Sequence, residues 1–237
     1  MSNGSDHITL RVSDGTEMNA YVARPSGPGP HPAIMVFQDG FGVKASSGPV
    51  ADRYAGEGYV AIAPELFHRT AAGFETSYDD IEGIMKHIRA LTTEGLIADV
   101  AASFEWLTAQ PDVRATQIAA VGFCMGGRTA YLANSALPLA ASISYYGGSI
   151  APALLDRAPH LHGPQLFFWG GKDKGIPPEQ RRAVADAVSA AGKRYVDVVF
   201  SNAEHGFFTA HKHEPAAARE SWALSLAFLG AALGLGD

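Results

Sequence analysis

One cysteine in 237 residues leaves this chain without an internal disulfide, so packing and hydrogen bonding must carry its stability. Long apolar runs are missing too. The longest stretch, Trp222 to Leu235, is broken by Ser225 and by glycines, and falls short of the roughly 20 apolar residues of a membrane span. It reads instead as a core-facing C-terminal helix, and no membrane partner is expected. Positive charge is in deficit, with a net charge of −6, which removes the basic footprint of a nucleic-acid partner. Arg181-Arg182 reads as the solvated face of a helix. No charged-then-apolar leader opens the sequence, so a cytoplasmic location is the expectation. Internal repeats, low-complexity tracts and linkers are also absent.

What is present is 47% hydrophobic and 18% charged, the balance of one globular domain over 1–237, long enough to bury about 70% of its unfolded surface. His7–Val12 and Met18–Ala23 flank the turn signal Asp14-Gly15 and form an antiparallel pair at a sheet edge. Ala33–Phe37 and Tyr59–Ala63 are near-continuous apolar runs, as in strands buried on both faces of a parallel sheet. Val50–Glu57 between them is the crossover helix. After Pro64 a polar excursion runs through about Tyr78, followed by helices over Asp79–Leu91 and Leu96–Ala109. Strands at Gln117–Val121, Ala141–Tyr146, Gln165–Trp169 and Tyr195–Phe200 then alternate with helices from Met125, over Pro178–Ala191 and over Ala216–Ala232. That alternation predicts a mostly parallel, doubly wound central sheet flanked by helices.

The predicted strand at Gln117–Val121 runs into Gly122-Phe123-Cys124-Met125-Gly126. Strand, tight glycine-flanked turn and helix make the nucleophile elbow of the α/β-hydrolase fold, here with a thiol in place of the usual hydroxyl. The competing reading is a small buried hydrophobe, because free cysteine is among the most buried residue types. An elbow nucleophile needs a base within hydrogen-bond reach and an acid behind it, in the chain order nucleophile, acid, histidine. Asp173 and His205 fit that order, and both follow predicted strands at the carboxyl ends where open α/β sheets carry their sites. Taken singly, each is as readily a turn or loop residue; the ordered conjunction points to a Cys124-His205-Asp173 triad. The start of the following helix favours the thiolate, and the amides of Met125 and Gly40 are the expected oxyanion donors. Asp39, at the end of a central strand, could accept a hydrogen bond from the thiol or cap the strand as an Asp-Gly turn. Phe41, Tyr145 and Phe207 are candidate pocket residues, with core packing as the alternative for the latter two. His211-Lys212-His213 lacks a carboxylate or cysteine at ligand spacing and reads as a solvated loop, so no metal or cofactor is expected.

Gln38-Asp39-Gly40-Phe41-Gly42, Gly122-Phe123-Cys124-Met125-Gly126-Gly127, Tyr145-Tyr146-Gly147, Gly171-Lys172-Asp173 and Glu204-His205-Gly206-Phe207 together resemble the dienelactone hydrolase family, the carboxymethylenebutenolidases. The resemblance covers nearly the whole chain. It implies that Cys124, His205 and Asp173 open lactones or cleave esters of a small-molecule substrate through a thioester. It also implies a carboxylate touching the resting thiol, where this sequence has Asp39 in place of the family's glutamate, one methylene shorter. The arginines with which the family holds a substrate carboxylate have no counterpart at Phe207-Phe208-Thr209 or near Ile81; Arg69 in the excursion is the candidate substitute. A less anionic or bulkier ester or lactone is therefore expected. The rival readings are an amidase or peptidase on the same fold and a non-catalytic thiol sensor or binding protein. The oligomeric state is left open by the sequence.

Overall fold

In the computed structural model, which describes residues 4–77, 79–209 and 213–235, the apolar runs become the most deeply covered strands. The strands are β1 (Gly4–Arg11), β2 (Glu17–Arg24), β3 (His31–Phe37), β4 (Val60–Pro64), β5 (Val113–Phe123), β6 (Ala141–Tyr145), β7 (Gln165–Gly170) and β8 (Tyr195–Phe200). The helices are α1 (Gly48–Gly56), α2 (Ile81–Ala90), α3 (Thr93–Thr108), α4 (Met125–Ala136), α5 (Pro178–Ala190) and α6 (Pro215–Leu233). Hydrogen bonding orders one sheet as β1-β2-β4-β3-β5-β6-β7-β8. Pairs β3–β4, β6–β7 and β7–β8 are parallel, while β1–β2 and β2–β4 are antiparallel. This is the mixed, mostly parallel α/β-hydrolase sheet that the alternation of strands and helices predicts. Every residue of β4, β6 and β7 is buried, as parallel strands covered on both faces require. The terminal strands β1 and β8 are largely open to solvent.

Internal packing divides the chain into two compact units, Met1–Ala119 and Ala120–Asp237. Within the first, α1 packs on β2, β3 and β4, and α3 on β1, β3 and β4. Within the second, α4 packs on β6, α6 on β6 and β7, and α5 on β8. Phe167, Phe168 and Trp169 of β7 are each at most 1% exposed, and a side chain of that size contributes on the order of 1.5–3 kcal/mol when fully buried.

Helix boundaries are set by caps that apolar periodicity does not reveal. The Thr92 side chain accepts from the Gly95 amide and starts α3 at Thr93, a turn before the expected Leu96. Asp80 does the same for α2 through Gly83. The crossover helix is preceded by a π-helical turn over Val43–Ser47. Arg181 is half-buried and donates to the Gly170 carbonyl at 3.1 Å, so it closes the end of β7 instead of facing solvent as expected. Among the described residues, no helix is long and apolar enough to cross a membrane. His211 and Lys212 lie outside the described residues, as does Tyr78.

Candidate active site

The site is assembled within the second unit from three strand-to-loop exits. The first is the end of β5. Cys124 has φ 55° and ψ −117°, a backbone state that costs a non-glycine residue on the order of 1–3 kcal/mol. Three hydrogen bonds hold it there. Its N–H donates to the Tyr145 carbonyl of β6 at 3.0 Å, and its carbonyl accepts from Gly127 and Arg128 at 2.9 and 3.3 Å. Glycine is required on the flanks because backbones touch: a Cβ on Gly122 would stand 1.9 Å from the Gly126 carbonyl oxygen, and one on Gly127 would stand 2.6 Å from that of Tyr145. Met125 opens α4, and a first-turn N–H has no acceptor within its own helix. Its amide is thus available to an oxyanion formed beside Cys124.

The other two exits follow β7 and β8, and they are tied backbone to backbone. Gly171 N donates to the Phe200 carbonyl at 2.8 Å, and Lys172 N to that of Ala203 at 2.9 Å. Any Cβ on Gly170 or Gly171 would fall within 2.7 Å of backbone in the facing loop. This close approach brings Asp173 to His205, with Asp173 Oδ2 2.7 Å from His205 Nδ1. The second carboxylate oxygen accepts from the Gly175 amide at 2.8 Å. The Asp173 side chain is 1% exposed, whereas that of His205 is 40% exposed.

Burial works against ionisation of Asp173, yet the hydrogen bond and charge of His205, with amides of Gly175 and Ile176, outweigh it and hold the carboxyl below its ordinary range. Burial likewise opposes the charge on His205. Hydrogen bonds to Asp173 and to Cys124, with the negative charge of both, prevail and push the imidazole up to about 10. With Nδ1 engaged by Asp173, the other ring nitrogen is left for the sulfur. The ring packs at 5.0 Å against that of Tyr146, tilted by 58° to it, and Tyr146 is itself at φ 38°. A cavity of about 520 Å³ opens here, lined by Lys172, Asp173, Lys174, Gly175, Glu204 and His205.

The remaining candidates fall elsewhere. Tyr145 and Phe207 are 1% and 0% exposed and pack in an aromatic cluster with Phe123, Phe168 and Phe208, with the Tyr145 hydroxyl 2.8 Å from Ser225 Oγ. Both are core residues in this structure, because Tyr145 at the end of β6 meets α6 and Phe207 packs on the rings of Tyr145, Tyr146 and Phe200. In the first unit, Asp39 is buried and its Oδ1 accepts from the Phe41 amide at 3.0 Å, the turn-forming geometry of an Asp before Gly. Gly40 lies under Ile84, where a Cβ would be 2.9 Å from Cδ1. Phe41 is buried. Arg69 is engaged twice over: its Nε donates to Asp14 at 2.7 Å, and its two terminal nitrogens donate to Asp99 at 2.9 and 2.8 Å. Asp99 also meets His68 Nε2 at 3.0 Å. Arg69 is thus a tie between the β1–β2 turn and α3, not an arginine held ready for a ligand. Arg128, in the first turn of α4, is a half-buried charged residue beside the elbow to which no sequence motif points.

The model of the dienelactone hydrolase family matches residues 18–233. A Synechocystis sp. protein named "Putative carboxymethylenebutenolidase" is 30% identical over 217 residues, spanning 87% of this chain and 88% of the relative. A Klebsiella pneumoniae crystal structure titled "Putative Dienelactone Hydrolase" superposes with a TM-score of 0.85 at 30% identity, over 96% of this chain and 99% of the other. The Pyrococcus horikoshii acylaminoacyl peptidase, 16% identical with a TM-score of 0.78 over all of this chain and 43% of its own, shares the fold. With the family model spanning most of the sequence and a relative aligned over most of both chains, the chain belongs to the dienelactone hydrolase family.

Proposed function

We propose that the protein hydrolyses a carboxylic ester or lactone through a thioester on Cys124. The observation that carries this reading is the His205 imidazole, held at 2.7 Å by a buried carboxylate on one nitrogen and hydrogen-bonded to the Cys124 sulfur. At neutral pH the imidazole carries its proton, and in this reading the nucleophile is the sulfur as thiolate beside it. The sulfur attacks the carbonyl carbon, and the charge that develops on oxygen meets the Met125 amide and the positive end of α4. As the carbon–oxygen bond breaks, His205 gives its proton to the departing alkoxide. The acyl group is then bound to a neutral sulfur, so His205 has lost one of the two negative partners that kept it charged. Its proton affinity falls, and the neutral imidazole takes a proton from the attacking water. Asp173 stays ionised throughout and fixes the tautomer.

Gly40 as second oxyanion donor and Asp39 as thiol-contacting carboxylate are proposed on the family resemblance alone. With Arg69 bound to two carboxylates, a neutral aryl ester is expected to turn over at least as well as a carboxylated lactone. Intact-mass analysis after mixing with a slowly deacylated ester tests the central step. An adduct of acyl mass on the wild type that is absent from Cys124→Ala supports it. Full esterase activity in Cys124→Ala refutes it.

A further inference from the structure

The amides of Asp39, Gly40 and Phe41, just past β3, are not treated alike. The N–H of Asp39 donates to Ser46 Oγ at 3.2 Å, and that of Phe41 to Asp39 Oδ1 at 3.0 Å. Between them, the N–H of Gly40 has no hydrogen-bond acceptor among the described residues, although Gly40 is buried. Buried amides without a partner are rare in native structures, and one left over between two satisfied neighbours points to a ligand as its acceptor. The carbonyl of the same peptide unit, by contrast, is held. Asp39 O accepts from Gln38 Nε2 at 3.2 Å, and Gln38 Oε1 accepts from the Leu66 amide, just past β4, at 3.1 Å. Gln38 is 1% exposed. Its side-chain amide cannot be turned end for end, because the Leu66 N–H only donates and Asp39 O only accepts. A trans peptide is planar, with its C=O and N–H pointing opposite ways, so whatever fixes Asp39 O also aims the Gly40 N–H.

We propose that Gln38 is a positioning residue for the oxyanion hole: its side-chain amide bridges the exits of β3 and β4 and locks the Asp39–Gly40 peptide, so that the Gly40 N–H is kept for the oxyanion. The proposal rests on the reading of Gly40 as second donor to an oxyanion formed at Cys124. Donation from Gln38 to Asp39 O also draws electron density from the peptide and makes the Gly40 N–H a stronger donor, because hydrogen bonds in a chain polarise one another. This stabilisation is felt only while the carbonyl carbon is tetrahedral. The oxygen then carries the electron pair displaced by the attacking sulfur, or later by water, and returns it as the carbon–oxygen or carbon–sulfur bond breaks. Gln38 therefore acts on turnover and not on the reactivity of the thiol itself.

The test compares Gln38→Met, which keeps length without hydrogen bonds, with Gln38→Glu and with Ser46→Ala, which removes the hydrogen bond to the neighbouring Asp39 amide. At alkaline pH the carboxylate of Gln38→Glu still accepts from Leu66 but gives Asp39 O no hydrogen, so the link to β4 survives while the lock is lost. Two rates are measured in each variant. One is kcat for a neutral aryl ester. The other is alkylation of Cys124, the one cysteine, by iodoacetamide, which displaces iodide from a tetrahedral carbon and forms no oxyanion. Removing a whole oxyanion donor costs about 10²–10³ in kcat, and a misaimed one is expected to cost about tenfold to a hundredfold in both Gln38 variants. KM stays within about threefold of wild type and alkylation within about twofold, since only a transition-state interaction is lost. Ser46→Ala keeps kcat within about threefold, because the peptide it frees is not the one that carries the Gly40 N–H. Wild-type kcat in both Gln38 variants overturns the proposal. So does alkylation that slows in step with kcat, the signature of a displaced elbow, or a change in KM alone, the signature of an altered pocket. An equal loss of kcat in Ser46→Ala overturns it as well, since any loosening of the loop would then suffice. Cys124→Ala separates the two readings: esterase activity that survives there refutes the thioester, whereas wild-type kcat in the Gln38 variants of a protein that Cys124→Ala silences refutes only this assignment.

Discussion

Gly122→Ala is the sharpest perturbation the structure offers, because the new methyl group meets backbone and nothing else. It would stand 1.9 Å from Gly126 O, 2.2 Å from Gly126 C and 2.9 Å from Gly127 N, against an ordinary contact of 3.4 Å or more. No side chain can swing aside, so the first turn of α4 must retreat by about 1.5 Å. Overpacking costs typically 1–3 kcal/mol, and a clash absorbed by backbone belongs at the upper end, about 3 kcal/mol. For a chain of this size that is a melting point lower by roughly 6–12 °C. Gly192→Ala is the control. Gly192 has φ 66° with nothing within 4 Å of a Cβ, so its cost is conformational alone, about 1 kcal/mol. Calorimetry and Cys124 alkylation should therefore separate the two variants: Gly122→Ala loses stability and, with its nucleophile displaced by an ångström or more, about a hundredfold in acylation, whereas Gly192→Ala keeps its reactivity. A Gly122→Ala protein that melts within about 2 °C of wild type, well short of the expected shift, and alkylates normally would show that the 122–126 contact does not hold the elbow.

Asp173→Asn should leave the fold nearly intact and lower kcat by about 10³–10⁴, since an amide facing Nδ1 selects the wrong imidazole tautomer; a loss under tenfold in steady-state kinetics would contradict the assigned role. Folding stability should depend on pH through His205, whose pKa rises from 6.5 to about 10 on folding. A raised pKa contributes stability fully below 6.5 and loses it as pH climbs through 10, so urea midpoints should fall across that window, less steeply in Cys124→Ala and least in His205→Gln. Equal slopes in all three would remove His205 as the source. Asp99→Ala should destabilise by about 3–5 kcal/mol, because it strips a fully buried carboxylate from both His68 and Arg69, while Cys124 alkylation stays unchanged. A loss of stability under about 1 kcal/mol in chemical denaturation would show that the buried cluster is replaceable.

What could be read in the sequence was whatever is written within a few consecutive residues. Gly122-Phe123-Cys124-Met125-Gly126 carries its own geometry: a residue with glycine two positions to either side, entered from a strand and left by a helix, is turned sharply at the strand end, as Cys124 is at φ 55°. Asp173 and His205 were legible through order, each standing just past a strand. Their neighbouring glycines carried a meaning visible only in space: Gly170 and Gly171 are small because the loop after β8 lies against them. For Tyr145 and Phe207 the sequence leaves pocket and core open, for the complementary reason. An aromatic at a strand end is equally suited to core and to pocket, and for Tyr145 the choice is made by α6, whose Ser225 stands 80 positions further along.

Charged groups mark the boundary most clearly. Nothing near Arg69 in the sequence announces that Asp14 and Asp99 hold it, because those partners stand 55 and 30 positions away. A surface arginine and a tethered one look alike until the carboxylates are located. Distance along the chain hides such a tie and distance in space makes it: with two carboxylates on one guanidinium, Arg69 joins the β1–β2 turn to α3 and has little charge left to offer a ligand.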